Sequence, residues 1–182
     1  MLANQDARQR VDAGKKVEKK IIEILNKAGL NLTNPTNSED ILNKVDAWVD
    51  NGKNGKTGIQ IKFRETGDDL LFEVYDTFVG FNNPNNKLGR DLKGDAKLYA
   101  VLIKQKILMV EKKQAEEVIQ EMLDEARCNG WSERNQSSQT LYYQSNNHEL
   151  QLKLQSDPAD GRKKILAYIP KEFFSNCKSY AA

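Results

Sequence analysis

Histidine occurs once in this chain of 182 residues, at His148, and cysteine only twice, at Cys128 and Cys177. Catalytic designs that need a histidine pair are therefore excluded. His148 stands among Asn146, Asn147 and Glu149 with no nucleophile elbow around it, and reads as a surface histidine. The cysteines are far apart and in no paired-ligand spacing, which argues against a disulfide framework and against a zinc cluster. A glycine-rich loop running into Lys and Ser or Thr is missing, as is a dinucleotide fingerprint, so nucleotide-triphosphatase and dehydrogenase readings fall away. Long apolar runs are also missing. The longest, Tyr99 to Ile103, is far too short to cross a bilayer, and the first residues (Asn4, Gln5, Asp6, Arg8) lack a signal-peptide stretch. No membrane partner and a cytoplasmic, intracellular location are the expectation.

Hydrophobic residues make up 38% and charged residues 30% of the chain, and the apolar residues recur in periodic blocks, which points to a soluble globular protein with one core. The formal net charge of +2 does not demand a polyanionic partner, because clustered charge matters more than the total. Three clusters stand out: Arg8, Arg10, Lys15, Lys16, Lys19 and Lys20; Lys53 and Lys56; and Arg162, Lys163 and Lys164. Each is either a solvated face or a phosphate contact.

From Asp6 to Ala28, Val11, Val17, Ile21, Ile24, Leu25 and Ala28 recur at helical spacing, with Gly29 as the stop. After a polar loop, Ile41 to Val49 alternates like a strand. Asn51 to Thr57 is a hairpin loop, and Gly58 to Arg64 is the returning strand. Leu70 to Tyr75 reads as a third strand of the same meander. Asp76 to Gly94 is a long loop, Leu98 to Ile103 and Ile107 to Val110 are strands, and Gln114 to Ala126 is a second helix. Thr140 to Tyr143, Leu150 to Leu154 and Ile165 to Ile169 are further strand candidates, and Pro170 can open a short helix through Phe174. This order favours a mixed-sheet α/β or α+β core. Residues 1–127 are expected to form that core and 128–182 a C-terminal extension packed on it or completing it, as one domain overall.

With histidine and cysteine chemistry set aside, carboxylate, amide and lysine chemistry remain. They concentrate between Lys44 and Arg64. A hairpin centred near Asn54 would set Asp46 across from Lys62 and Trp48 across from Gln60, so that one sheet face carries an acid, an amide and an ammonium. Carboxylate, side-chain carbonyl and backbone oxygens are hard ligands of the kind Mg²⁺ takes, and a lysine adds a fixed positive charge beside a phosphate. Such a spot suits phosphodiester hydrolysis. The same spacing also fits an ordinary cross-strand ion pair.

The segment Lys44-Val45-Asp46-Ala47-Trp48-Val49-Asp50, a turn, and Gly58-Ile59-Gln60-Ile61-Lys62-Phe63-Arg64-Glu65 resembles the core of the PD-(D/E)xK nuclease superfamily. In that superfamily an Asp on one strand and a (D/E)xK tripeptide on the next hold the metal and orient a water. A preceding helix often contributes a glutamate, and Gly14 to Glu18 followed by Ile21, Ile22, Leu25 and Gly29 resembles that helix. The resemblance covers about the first two thirds of the chain, extending weakly through Leu71 to Tyr75 and Asp95 to Val101. It implies a restriction-endonuclease-like α/β fold, a central mixed sheet flanked by helices. It also implies a Mg²⁺-dependent DNA endonuclease in which Mn²⁺ can substitute, with DNA as partner and homodimerisation left open. The implied site is Asp46 and Glu18 as metal ligands, Gln60 as neutral ligand or water-positioning group, and Lys62 as electrostatic stabiliser. Glu23 is the reserve for Glu18. Asp50 is the reserve for Asp46, with turn capping as its other reading. Val45 stands where proline is usual, and Gln60 where an acid is usual, which weakens metal binding. Glu73 reads either as a further carboxylate or as the solvent-facing member of its strand, Asp95 as a turn residue, and Trp48 as packing beside the site.

Overall fold

The computed structural model describes residues 2–36, 40, 43–64, 67–133, 141–144, 150–156 and 161–182. His148 and the start of the strand expected at Ile41 lie outside these. Two compact units divide the chain, and their segments interleave: residues 1–67, 95–111 and 176–182 form one, residues 68–94 and 112–175 the other. The segment after residue 127 is thus shared between them.

The first unit opens with helix α1 (Leu2–Lys27). Its end is written in the local sequence. Gly29 takes φ 91°, a left-handed conformation that costs a glycine little, and its N–H donates to the Asn26 carbonyl at 3.0 Å. Leu30 N–H donates back to the Leu25 carbonyl at 3.1 Å, and Leu30 packs on the cluster that contains Leu25, the apolar contact that accompanies this kind of cap. Asn26 Oδ1 then accepts the Leu32 N–H at 2.7 Å, fixing where strand β1 (Leu32–Thr33) begins.

Strands β2 (Ala47–Asp50), β3 (Lys56–Arg64), β6 (Leu98–Ile103), β7 (Lys106–Glu111) and β12 (Lys178–Ala181) join β1 in a sheet ordered β1-β2-β3-β6-β7-β12. The β3–β6 pair is parallel and the others antiparallel, so the sheet is mixed. Ile21 and Leu25 of α1 pack on Ala47, Ile59, Ile61, Ala100, Leu102, Ile107 and Met109, one face of the sheet. Strand alternation turns Gly58, Gln60 and Lys62 to the opposite face.

Two expectations are corrected here. Strand β2 covers Ala47–Asp50, and the described residues 43–46 before it, expected as strand, are not, because Lys44 sits at φ 55°, a conformation no strand accommodates. The β2–β3 register is also two residues from the expected one: Trp48 faces Gly58, and Ala47 faces Ile59. The turn runs from Asn51 to Gly55, where Asn51 N–H donates to the Gly55 carbonyl at 2.9 Å, so the hairpin is centred on Lys53. A shift of two leaves every side chain on its face but changes its partner.

The third strand of the supposed meander belongs elsewhere. Strand β4 (Leu70–Thr77) lies in the second unit, in an antiparallel sheet ordered β5-β4-β11-β10-β9-β8, with β5 (Lys87–Leu88), β8 (Ser132–Glu133), β9 (Leu141–Gln144), β10 (Gln151–Ser156) and β11 (Lys163–Ile169). The place beside β3 goes to β6, whose residues from Tyr99 to Ile103 are all buried, as an interior strand requires. In β4 buried Leu70, Phe72 and Val74 alternate with half-exposed Leu71, Glu73 and Tyr75, the pattern of a sheet covered on one face.

Helix α2 (Lys112–Asn129) belongs to this unit and buries Ala115, Ile119, Met122, Leu123 and Ala126. The chain is therefore α/β, with a mixed sheet and two long helices. Buried Tyr143 of β9 donates its hydroxyl to the Glu125 carboxylate of α2. Burial, and then the neighbouring Glu125, push the Tyr143 phenol up from 10.0 to about 12.

Two measurements check this packing. A Cβ added at Gly58 would lie 2.9 Å from Val45 Cγ2 and 3.3 Å from Trp48 Cζ3. Gly58→Ala is expected to destabilise the chain by about 1–3 kcal/mol in urea melts, the usual cost of overpacking. The raised Tyr143 value means that folding favours the protonated phenol. Its contribution is complete below pH 10 and is lost as pH climbs towards 12. Stability measured across that window should fall less steeply in Tyr143→Phe.

Candidate functional site

Asp46 stands just outside the β2 ladder, and its position is fixed twice. Its N–H donates to the Ile59 carbonyl at 2.8 Å, and its Oδ2 accepts the Ile61 N–H at 2.6 Å. The second bond is a substitution of side chain for backbone. The chain bends away at Lys44, so the next β3 amide loses its ladder partner and the Asp46 carboxylate takes that place. The consequence is chemical as well as structural: the carboxylate is docked on the middle residue of Gln60-Ile61-Lys62. A carboxylate offers about four acceptor positions, so it can serve an N–H and a cation together.

Gln60 is only 3% exposed. Lys62, two residues on and on the same face, holds its Nζ 5.5 Å from the centre of the Tyr99 ring. Tyr99 is fully buried and pairs with Gln60 across the parallel β3–β6 ladder. A cation over such a ring gains about 0.5–2 kcal/mol, which steadies the ammonium. Trp48 completes this face, packed beside Gly58, and its buried Nε1 has no partner among the described residues.

Glu18 is half-buried on α1. It lies one turn before Ile21 and two before Leu25, the residues that pack on the Ile59 and Ile61 side of β3. Glu18 therefore approaches from one side of the sheet, and Gln60 and Lys62 project from the other. Glu23 is exposed. Asp50 Oδ1 accepts the Gly52 N–H at 2.8 Å, the turn-capping reading of that residue.

The remaining sequence candidates are held in other ways. Glu73 lies in the second unit, where its Oε1 accepts the Arg90 N–H at 3.0 Å. Asp95 is exposed and donates its own N–H to the Asn43 carbonyl at 2.8 Å. In the third basic cluster, Arg162 and Lys164 approach the Asp76 carboxylate at 2.9 and 3.6 Å, so part of its charge is already neutralised. Tyr99 is the contributor that sequence reading missed. Its apolar surroundings marked it as core, and only the parallel β3–β6 pairing brings it under Lys62.

Among the described residues no group of three or more His, Cys, Asp or Glu side chains is placed to hold a metal ion. An ion at this end of β2 would thus rely on one or two carboxylates, the Gln60 carbonyl and water. Mg²⁺ is commonly bound in that way, through few carboxylates with the rest of its octahedron supplied by water and substrate phosphate. The donor set fits that ion. Comparison of the chain with protein-family models, with curated proteins and with solved structures finds no match.

The Asp46–Ile61 bond separates two roles in one experiment. Asp46→Ala strands the Ile61 N–H and is expected to cost about 1–3 kcal/mol in denaturant melts. Asp46→Asn keeps an acceptor oxygen and should stay close to the parent in stability while removing the charge. An equal loss in both variants would mean that the charge itself holds the strand end.

Proposed function

We propose that this chain is a metal-dependent DNA endonuclease that hydrolyses phosphodiester bonds with an activated water. The observation that carries the reading is the Asp46 carboxylate bound to the Ile61 N–H, at the centre of Gln60-Ile61-Lys62. Asp46 supplies the anionic ligand, with Glu18 as the second carboxylate from α1. Gln60 offers a carbonyl to the ion or an amide to the attacking water. Lys62 places a positive charge where negative charge builds on the phosphate. When bound, Mg²⁺ would lower the pKa of the water and neutralise the phosphate oxygens. No covalent intermediate with the protein is needed.

A second reading has its own support. Gln60 is neutral where the resembling nucleases carry an acid, and the described residues assemble no three-carboxylate cage. Both facts favour a nuclease-fold protein with weakened catalysis that binds nucleic acid.

Incubation with labelled duplex, single-stranded and branched DNA distinguishes the two. Under the enzyme reading, cutting occurs with Mg²⁺ or Mn²⁺ and stops in EDTA. It falls by about 10²–10³-fold in Asp46→Asn and Lys62→Ala, the scale of removing one electrostatic stabiliser. Binding without cutting of any of these DNAs, in any of the metals, would replace the enzyme reading with the binding one. A gain of cutting in Gln60→Glu would then locate the defect at that ligand.

A further inference from the structure

Helix α1 carries a charge pattern that its packing role does not use. Of the residues with described side chains, Val17, Ile21, Ile24 and Leu25 turn towards the sheet. Lys15, Lys16, Lys19, Lys20 and Lys27 are all exposed, and helical periodicity sets them on the other side together with Asp12 and Glu23. Five lysines against two acids leave this face with a net charge of +3. Asp12 and Glu23 stand four residues from Lys16, Lys19 and Lys27, within helical reach, yet none of the five lysines is paired with a carboxylate among the described residues. Arg162 and Lys164 differ in this respect, since both meet Asp76.

We infer that the exposed face of α1 is a backbone-tracking surface for duplex nucleic acid. The identity of this polyanion rests on the endonuclease reading above. From Lys15 to Lys27 the helix rises about 18 Å, which matches about five phosphates of one strand at 3.4 Å per phosphate along the duplex. A lysine ammonium binds phosphate as a point charge and reads no sequence, so the contact is independent of base order and sensitive to salt. A basic amphipathic helix also suits an anionic membrane surface. Here its apolar side is already occupied by Ile59 and Ile61, which leaves no hydrophobic face to insert. Glu18 borders the lysine face beside Lys15 and Lys19.

The test is fluorescence anisotropy on the full chain with a labelled duplex in EDTA, over a range of salt. The triple variant Lys16→Gln, Lys19→Gln, Lys20→Gln alters only exposed positions and keeps helix-favouring residues. It is expected to weaken binding at low salt and to flatten the plot of log K against log salt by about 2.7, the value for three lost phosphate contacts. The control triple Lys93→Gln, Lys106→Gln, Lys178→Gln removes equal charge from other exposed sites and should leave the slope near the parent's. An unchanged slope in the α1 variant overturns the inference, as does an equal loss in the control. Binding to anionic vesicles with none to duplex also overturns it. Failure of the nuclease reading looks different: the parent would bind through α1 with the expected slope yet cut nothing in any metal.

Discussion

The hydrogen bond from the Ile61 amide to the Asp46 carboxylate is the constraint around which this site is arranged. A β-ladder that stops must do something with the next N–H on the surviving strand, because a buried amide without a partner costs about 1–3 kcal/mol. Here the bend at Lys44 ends the ladder and a charged side chain covers the open amide. An acid that could have been an ordinary strand residue is thereby pinned against a particular tripeptide. Structural need and candidate chemistry converge on one carboxylate, which is why Asp46 cannot be read as only one or the other.

The same strand end explains the distribution of polarity on β3. Ile59 and Ile61 face α1 and form core, whereas Gln60 and Lys62 face away from it, beside Tyr99 and Trp48. One polar atom on this second face, the Trp48 Nε1, is buried without a partner among the described residues. Native proteins leave few buried polar groups unsatisfied, and exceptions concentrate where water, an ion or a ligand completes the set. The amide at position 60 has a double character: it is neutral where a carboxylate would add anionic charge, yet its carbonyl oxygen is a hard donor.

Charge outside the site divides by what the fold does with it. The cluster at Arg162 and Lys164 reads the same as the α1 cluster in sequence, yet Asp76 neutralises one, and among the described residues no carboxylate is paired with Lys15, Lys16, Lys19 or Lys20 of the other. Position in a cluster therefore says little until the neighbours contributed by distant strands are known. Asp76 lies at the end of β4 and Arg162 just before β11, 86 residues apart, and only the β4–β11 pairing makes them neighbours.

What the residues fixed without help was local. The period of Val17, Ile21, Ile24 and Leu25 and the stop at Gly29 set α1, since a helix and its cap are formed by residues within a few positions of each other. Alternation likewise marked β3, short apolar runs marked β4, β6 and β7, and the even spacing of Gln60 and Lys62 placed them on one face. Pairing was decided by tertiary structure. The β2–β3 register turned on the difference between a loop centred at Lys53 and one centred at Asn54. The neighbour of β3 proved to be β6, about 40 positions later, and not the adjacent β4, because an interior place requires a strand buried on both faces. Short edge strands such as β1, β5 and β12 carry too few residues for any period to show, and they exist because a longer strand beside them offers open hydrogen bonds. The identities of Asp46, Gln60 and Lys62 were legible in the chain. Their geometry, with one carboxylate on a strand amide and one ammonium over a buried ring, was a product of contacts that no local pattern encodes.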